Sequence, residues 1–223
     1  MSAGFLTIAL VLGGIVALTT DEEAGSTRTG TGSSAMPALT ENGRPQGCRT
    51  DDSSDAVPMT SPEGIKWRML GLVRVPVSAK AGPTHMDGGL WWCFARTPLG
   101  AVLAAHIITS QMTEKSWRTV LDRQIVAGQG RDIYEFTRSI EPDTIRGSLS
   151  SSVGTPTGFA VTEYTDSQAR VQILIKASSG YAEIACDLRW SKGDWKVLPS
   201  SDGALHTPGS SVENPRGYVL WEG

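Results

Sequence analysis

Residues 158–197, GFAVTEYTDSQARVQILIKASSGYAEIACDLRWSKGDWKV, decide the fold of this chain. Apolar and polar side chains alternate over three segments, which end at short turns rich in Ser, Gly, Asp and Lys. Alternation with a period of two is typical of half-buried β-strands. The pattern predicts strands at Gly158–Thr165, Ala169–Ser178 and Tyr181–Trp190, and a fourth that begins at Trp195. Consecutive strands joined by turns this short must be antiparallel neighbours.

Before this stretch, the hydrophobic period changes to that of a helix. Thr97 and Pro98 form a helix start, with Thr as the N-cap and Pro at the first helical position. The helical spacing of apolar residues continues on one stripe to about Gln111. Two further helices are predicted, from Glu114 to Ala127 and from Arg131 to Arg146, the latter kinked or divided by a proline.

Helices followed by a meander predict an α+β domain, with the helices packed on one face of a curved antiparallel sheet. Trp67–Val77 is expected to add an edge strand or an extended lead-in. This domain is assigned to residues 64–223, a normal size for a single domain. Residues 21–63 are dominated by small and polar side chains and are predicted to form a flexible linker, because they bury too little apolar surface to offset the entropy of ordering.

The first twenty residues, 1–20, contain no charged side chain, and Asp21, Glu22 and Glu23 follow at once. Twenty helical residues reach about 30 Å, the thickness of a bilayer's hydrocarbon core. We therefore expect a single-pass anchor in the cell membrane, with the C-terminal domain outside the cytoplasm. A cleaved secretory signal and a buried soluble helix are the alternatives.

The composition limits which partners and cofactors are expected. The net charge is −3 and the basic residues are dispersed, so no nucleic-acid partner is expected. The three cysteines and three histidines match no metal-ligand spacing, so we expect no metal and no cofactor. An odd thiol count in an oxidising compartment allows one disulfide. Cys93 and Cys186 form the pair inside the folded region, while Cys48 in the linker can reach either of them.

Two adjacent aromatic residues, Trp91 and Trp92, precede the first helix. Neighbouring side chains of an extended segment point to opposite sides, so both cannot point inward. One indole is therefore expected at the surface, where it can contact a partner protein, a membrane surface or a glycan. Packing in the core is the alternative.

The meander closes with Trp-x-x-Gly-Asp-Trp-Lys-Val at residues 190–197, and in this order of elements the chain resembles the nuclear-transport-factor-2-like fold. Its layout of span, linker and single outer domain is similar to that of the VirB-type assembly factors of type IV secretion and conjugation machines. More narrowly, Val75–Ser78, Ala81–Pro83 and Phe94–Ala105 resemble small anchored proteins carried on actinobacterial mobile elements. These motifs are structural, so the resemblance implies no catalytic residues.

The resemblance implies a cavity between sheet and helices, in which some soluble relatives transfer protons. The candidates in this chain are His106, Asp122, Tyr164 and Asp187. His106 lies on the apolar stripe of the first helix and Tyr164 can face the core, whereas Asp122 and Asp187 are expected at exposed faces. No spacing forces two of them together, so no catalytic residue is assigned.

The function expected from the sequence is that of a non-enzymatic, membrane-tethered scaffold or assembly component with protein partners, in a conjugation or type IV secretion apparatus. One rival is a small-ligand binder or enzyme that uses a cavity of the same fold. The other is a secreted protein that binds components of the cell wall after signal cleavage.

Overall fold

The computed structural model describes residue 40, residues 43–140 and residues 154–222. The predicted anchor at residues 1–20 and the linker residues 21–39 lie outside the described residues. In the part of the chain that is described, no helix is long and apolar enough to cross a membrane.

The described residues form an α+β fold with antiparallel sheets and three helices, which confirms the predicted class. In chain order the elements are β1 (Ile65–Leu70), β2 (Val73–Ser78), β3 (His85–Asp87), β4 (Leu90–Trp92), α1 (Pro98–Gln111), α2 (Trp117–Gln124), α3 (Gln129–Ile140), β5 (Thr155–Tyr164), β6 (Gln168–Ala177), β7 (Gly180–Ser191), β8 (Asp194–Val197), β9 (Ser210–Val212) and β10 (Val219–Leu220).

The main sheet has the order β10-β5-β6-β7-β8, and β9 pairs with the first residues of β7. All neighbours are antiparallel, so the predicted meander from β5 to β8 is confirmed. Lys192 and Gly193 join β7 to β8 with φ values of 53° and 77°. Two positive φ angles are what a two-residue type I′ turn requires. The sequence did not predict β9 and β10, which are too short to show a period.

Helix α1 begins and ends at the predicted residues. The hydroxyl of Thr97 accepts the first-turn hydrogen bond from Gly100 N at 3.0 Å. Residues 100–108 are buried on every side of the helix, not only along the predicted stripe. The reason is that α1 contacts β5 to β8 of the main sheet and also β2 and β4. A helix that is apolar all round is the kind that a fold buries completely.

Strands β1 and β2 correct the expected single strand at Trp67–Val77. They form an antiparallel hairpin in which Leu70 pairs with Val73 across a two-residue turn. The turn begins at Gly71, whose φ of 57° is in the left-handed region that favours glycine. An apolar run with one glycine reads as a continuous strand, although here the glycine reverses the chain.

Helix α2 is shorter than predicted, and α3 begins at Gln129, two residues before its predicted start. Hydrogen bonds from Glu114 N to Gln111 O and from Trp117 N to Glu114 O form tight turns, so α2 begins only at Trp117. At its other end Ile125 is extended and bridges to Val197 of β8. The predicted continuation of the third helix to Arg146 lies outside the described residues.

Residues 43–53, which composition assigns to the linker, lie against the domain. The Arg44 guanidinium donates to Phe94 O at 2.8 Å. A Cβ at Gly193 would lie only 2.4 Å from Gly43 O, so the β7–β8 turn and this segment touch backbone to backbone. The attachment relies on polar contacts and on the disulfide at Cys48, with Pro45 as the one buried residue of the segment, and for that reason hydrophobicity did not reveal it.

Replacement of Trp195 by Ala is expected to lower the free energy of unfolding by about 3 to 5 kcal/mol. The side chain is fully buried, and its indole N–H donates to Ala95 O at 2.8 Å. Urea unfolding of the purified protein measures the loss. The matched control is Leu72→Ala, because Leu72 is 76% exposed and should change stability by no more than about 0.5 kcal/mol. Equal effects of the two substitutions would contradict the position of Trp195 in the core.

Candidate functional site

The structure places the four candidate residues of the predicted cavity in different surroundings. Asp122 is exposed and pairs with Arg131 at 3.4 Å. Asp187 accepts from the Arg170 guanidinium at 2.7 and 2.8 Å, a bidentate pair between β6 and β7. Neither carboxylate is free to act as a buried acid or base.

Tyr164 is half-buried, and its hydroxyl donates to Arg96 O at 3.1 Å. Its ring lies 6.1 Å from the ring of Trp195. Burial is the main cause that raises the pKa of Tyr164, and the nearby Asp166 adds to it. The side chain therefore connects the end of β5 to the segment before α1, which is a structural role.

His106 is buried in α1, and its ring lies 5.7 Å from that of Trp221 near the C-terminus. Burial lowers the pKa of His106 to about 3, so the imidazole is neutral at ordinary pH. Its Nε2 has no hydrogen-bond partner among the described residues. No group of three or more His, Cys, Asp or Glu side chains in the described ranges could hold a metal ion.

The disulfide corrects the expected pair of Cys93 and Cys186. Cys93 is bonded to Cys48, and Cys186 is a free, buried thiol. Cys186 lies in β7 with Leu188, and both side chains belong to the core, so it is held as a small buried side chain. Burial raises its pKa to about 12, which keeps the thiol protonated and unreactive.

The backbone from Cys93 to Arg96 is the centre of a buried hydrogen-bond network, which we call the Cys93–Arg96 segment. The carboxylate of Asp194 accepts from Cys93 N and from Phe94 N, both at 2.8 Å. It also accepts from Trp195 N at 3.0 Å. Four residues from three other parts of the chain thus fix the backbone of the segment: Arg44, Tyr164, Asp194 and Trp195.

Asp194 is a carboxylate that the sequence did not single out. Burial raises its pKa to about 6, while the three backbone N–H donors and Arg44 act in the opposite direction. Its position directly after Lys192-Gly193 makes it look like an ordinary turn residue. The only signal was its neighbour Trp195 in the motif at residues 190–197, and nothing local indicated partners about one hundred residues away.

Trp91 and Trp92 lie on different sides of β4. Trp91 is only 8% exposed, and its backbone is held by two buried amides, since Gln111 accepts from Trp91 N and both Gln111 and Gln124 donate to Trp91 O. Trp92 is half-buried and stacks on His85, with ring centroids 4.4 Å apart. Trp92 is therefore the indole of the pair that is available for contacts outside the core.

Trp92 lines a shallow cleft that is open to solvent, which we call the Trp92 cleft. The other lining residues are Leu90, Arg123, Gln124, Lys192, Asp194 and Lys196. The lining thus combines an indole and a leucine with three cationic side chains and one carboxylate. His106 and Tyr164 are not among its residues.

The stability of the protein should depend on pH through His106. Its pKa is about 3 in the folded state and 6.5 in the reference state, so the unfolded chain takes up a proton first as the pH falls. Stability that His106 contributes at neutral pH is then lost between about pH 6.5 and pH 3, by at most about 1.4 kcal/mol per pH unit. Asp194, whose pKa is raised by burial to about 6, adds stability as the pH falls below that value. Its effect opposes that of His106, so wild type must be compared with a variant.

The comparison is with His106→Gln, which keeps Asp194 and removes the buried imidazole. Urea unfolding from about pH 7 to about pH 4 should show that the stability difference between wild type and variant shrinks, or changes sign, as the pH falls. Parallel pH profiles for the two proteins would mean that His106 is not a buried neutral imidazole.

Comparison with known proteins gives a match to a family model. No curated protein and no solved structure matches this chain. One family model matches residues 29–220, a range that begins within the predicted linker and ends at the last residue of β10. The chain therefore belongs to the family described as Domain of unknown function (DUF8175).

Proposed function

We propose that this chain is a membrane-tethered, extracytoplasmic domain that acts as a non-enzymatic scaffold or assembly component. The Cys48–Cys93 disulfide is the observation that carries the proposal. Disulfides form and persist outside the reducing cytosol, which supports a location beyond the membrane. The uncharged residues 1–20 would supply the tether.

The order of elements supports a nuclear-transport-factor-2-like fold as part of this proposal. Three helices precede a four-stranded antiparallel meander, and α1 packs against β5 to β8. The register of β5 against β6 shifts between Pro156 and Gly158 and again between Val161 and Glu163. Such bulges bend a strand, which favours a curved sheet.

The partners of the titratable groups favour binding over proton transfer. Tyr164 donates to a backbone carbonyl, and Asp187 is paired with Arg170. The Asp194 carboxylate accepts three backbone N–H groups. Each of these groups thus has a structural partner, whereas the Trp92 cleft presents an indole and cationic groups for a protein partner. We place that partner in a conjugation or type IV secretion apparatus, in line with the similar layout of the VirB-type assembly factors.

A small-ligand binder is the second candidate function. It is favoured by two buried nitrogen atoms without a hydrogen-bond partner in the described part of the chain, His106 Nε2 and Trp221 Nε1. Their rings lie 5.7 Å apart, so one polar ligand group could satisfy both. His106→Gln would then abolish ligand binding and leave capture of a protein partner intact.

Protease treatment of intact protoplasts that express the chain tests the proposal. We expect an external protease to release a folded fragment that contains residues 43–222, in which Cys48 and Cys93 are linked and Cys186 is the single thiol. Thiol labelling of the quenched, denatured fragment and peptide mass spectrometry measure both features. A cytoplasmic marker that stays protected is the control.

Two results would contradict the proposed location. One is a fragment that is cut only after the protoplasts are permeabilised. The other is a chain in which all three cysteines are free thiols in freshly quenched cells.

A further inference from the structure

Lys196 is the most unusual cation of the Trp92 cleft. It lies in β8, is only 9% exposed and lines the cleft with Lys192 and Arg123. Burial lowers the pKa of Lys196, and the positive charges of Lys192 and Arg123 lower it further, whereas the carboxylates of Asp194 and Asp122 act in the opposite direction. Among the described residues, no carboxylate forms an ion pair with its ammonium group. A mostly buried lysine with no anion in ion-pair contact is costly to charge, and an anion at the cleft would offset part of that cost.

Asp194 lines the same cleft and attracts Lys196, but it does not form an ion pair with it. Its two carboxylate oxygens are engaged by Cys93 N, Phe94 N and Trp195 N. The charged lining therefore consists of three cations and one carboxylate that accepts three backbone donors, and one of the cations, Arg123, is itself paired with Asp122, which is not a lining residue. The chain as a whole has a net charge of −3, so the positive charge is a local property of this cleft.

The apolar part of the lining indicates which kind of molecule would carry the anion. Leu90 and Trp92 lie beside the cations, and the stack of Trp92 on His85 holds the indole in place. The cleft is shallow and open to solvent, with enclosed space for about one water molecule. It therefore suits contact with the surface of a larger partner and not an enclosed ligand.

We infer that the Trp92 cleft binds an acidic segment of a protein partner, whose carboxylate pairs with Lys196 and Lys192 while a neighbouring apolar side chain packs on Trp92 and Leu90. The inference rests on the proposed function, because it names the chemistry of the partner that the scaffold would hold. Charge pairing at a partly buried lysine gives specificity for the acidic residue, and the rigid indole supplies apolar contact area.

The test is an NMR titration of the purified full-length chain with two short probes. Acetyl-Leu-Glu-amide carries the carboxylate and the apolar neighbour, and acetyl-Leu-Gln-amide is its uncharged counterpart. The observed signal is the Trp92 indole N–H, assigned with Trp92→Phe. We expect saturable millimolar binding of the Glu probe that weakens with added salt, and at least about tenfold weaker binding of the Gln probe.

Three lysine variants test which side chains bind the Glu probe. Lys196→Met and Lys192→Asn should each weaken binding of the Glu probe by about tenfold. Asn at residue 192 tolerates the positive φ of the turn, so this variant remains informative if Lys196→Met fails to fold. The matched control is Lys176→Met, because Lys176 is an exposed lysine of β6 outside the cleft and should bind the probe as wild type does.

Several outcomes would overturn the inference. They are equal binding of the Glu and Gln probes, wild-type affinity in both Lys192→Asn and Lys196→Met, or inorganic phosphate binding as tightly as the Glu probe, which would indicate a general anion site. Failure here is distinct from failure of the proposed function. Probe binding can be absent while the protoplast assay places the domain outside, and a cytoplasmic location can coexist with probe binding.

Discussion

The hydrogen bonds to the buried carboxylate of Asp194 are the interaction on which the rest of the structure depends. This carboxylate receives the N–H groups of Cys93 and Phe94, at 2.8 Å each, directly after a type I′ turn of the main sheet. Those two residues lie just before the N-cap of α1, so the same bonds position the central helix against the sheet. A carboxylate taken out of water is costly, and the three backbone donors compensate part of that cost.

The N-terminal segment completes this arrangement. Arg44 donates to Phe94 O and forms an ion pair with Asp52, and its guanidinium lies 5.3 Å from the Trp190 ring. The disulfide then connects Cys48 to Cys93 itself. A covalent bond and a cluster of polar contacts therefore converge on one short stretch of backbone. The Trp92 cleft is lined by Asp194, which accepts hydrogen bonds from that stretch, so the cleft lies next to this network.

Local patterns predicted the parts of the fold that are periodic. Alternation located the meander, and the N-cap of Thr97 located the start of α1. The sequence did not reveal contacts that join distant residues through polar groups: Asp194 looked like a turn residue, and Cys48 lay in a segment whose composition favours disorder. The β1–β2 hairpin was missed because Gly71 interrupts an otherwise apolar run. For the candidate site, the two neighbouring tryptophans in the sequence indicated that one indole, of Trp91 or Trp92, lies at the surface. The cations around Trp92 come together only through the tertiary fold.

Native-state hydrogen exchange of the Cys93 and Phe94 amides tests the central role of Asp194 most directly. In wild type both amides should exchange as slowly as those in the centre of β6 and β7. In Asp194→Asn, loss of the charged acceptor should accelerate them by about ten- to a hundredfold beyond any change common to the whole protein. Fast exchange of these amides in wild type, or equal acceleration of all slow amides in the variant, would contradict the account.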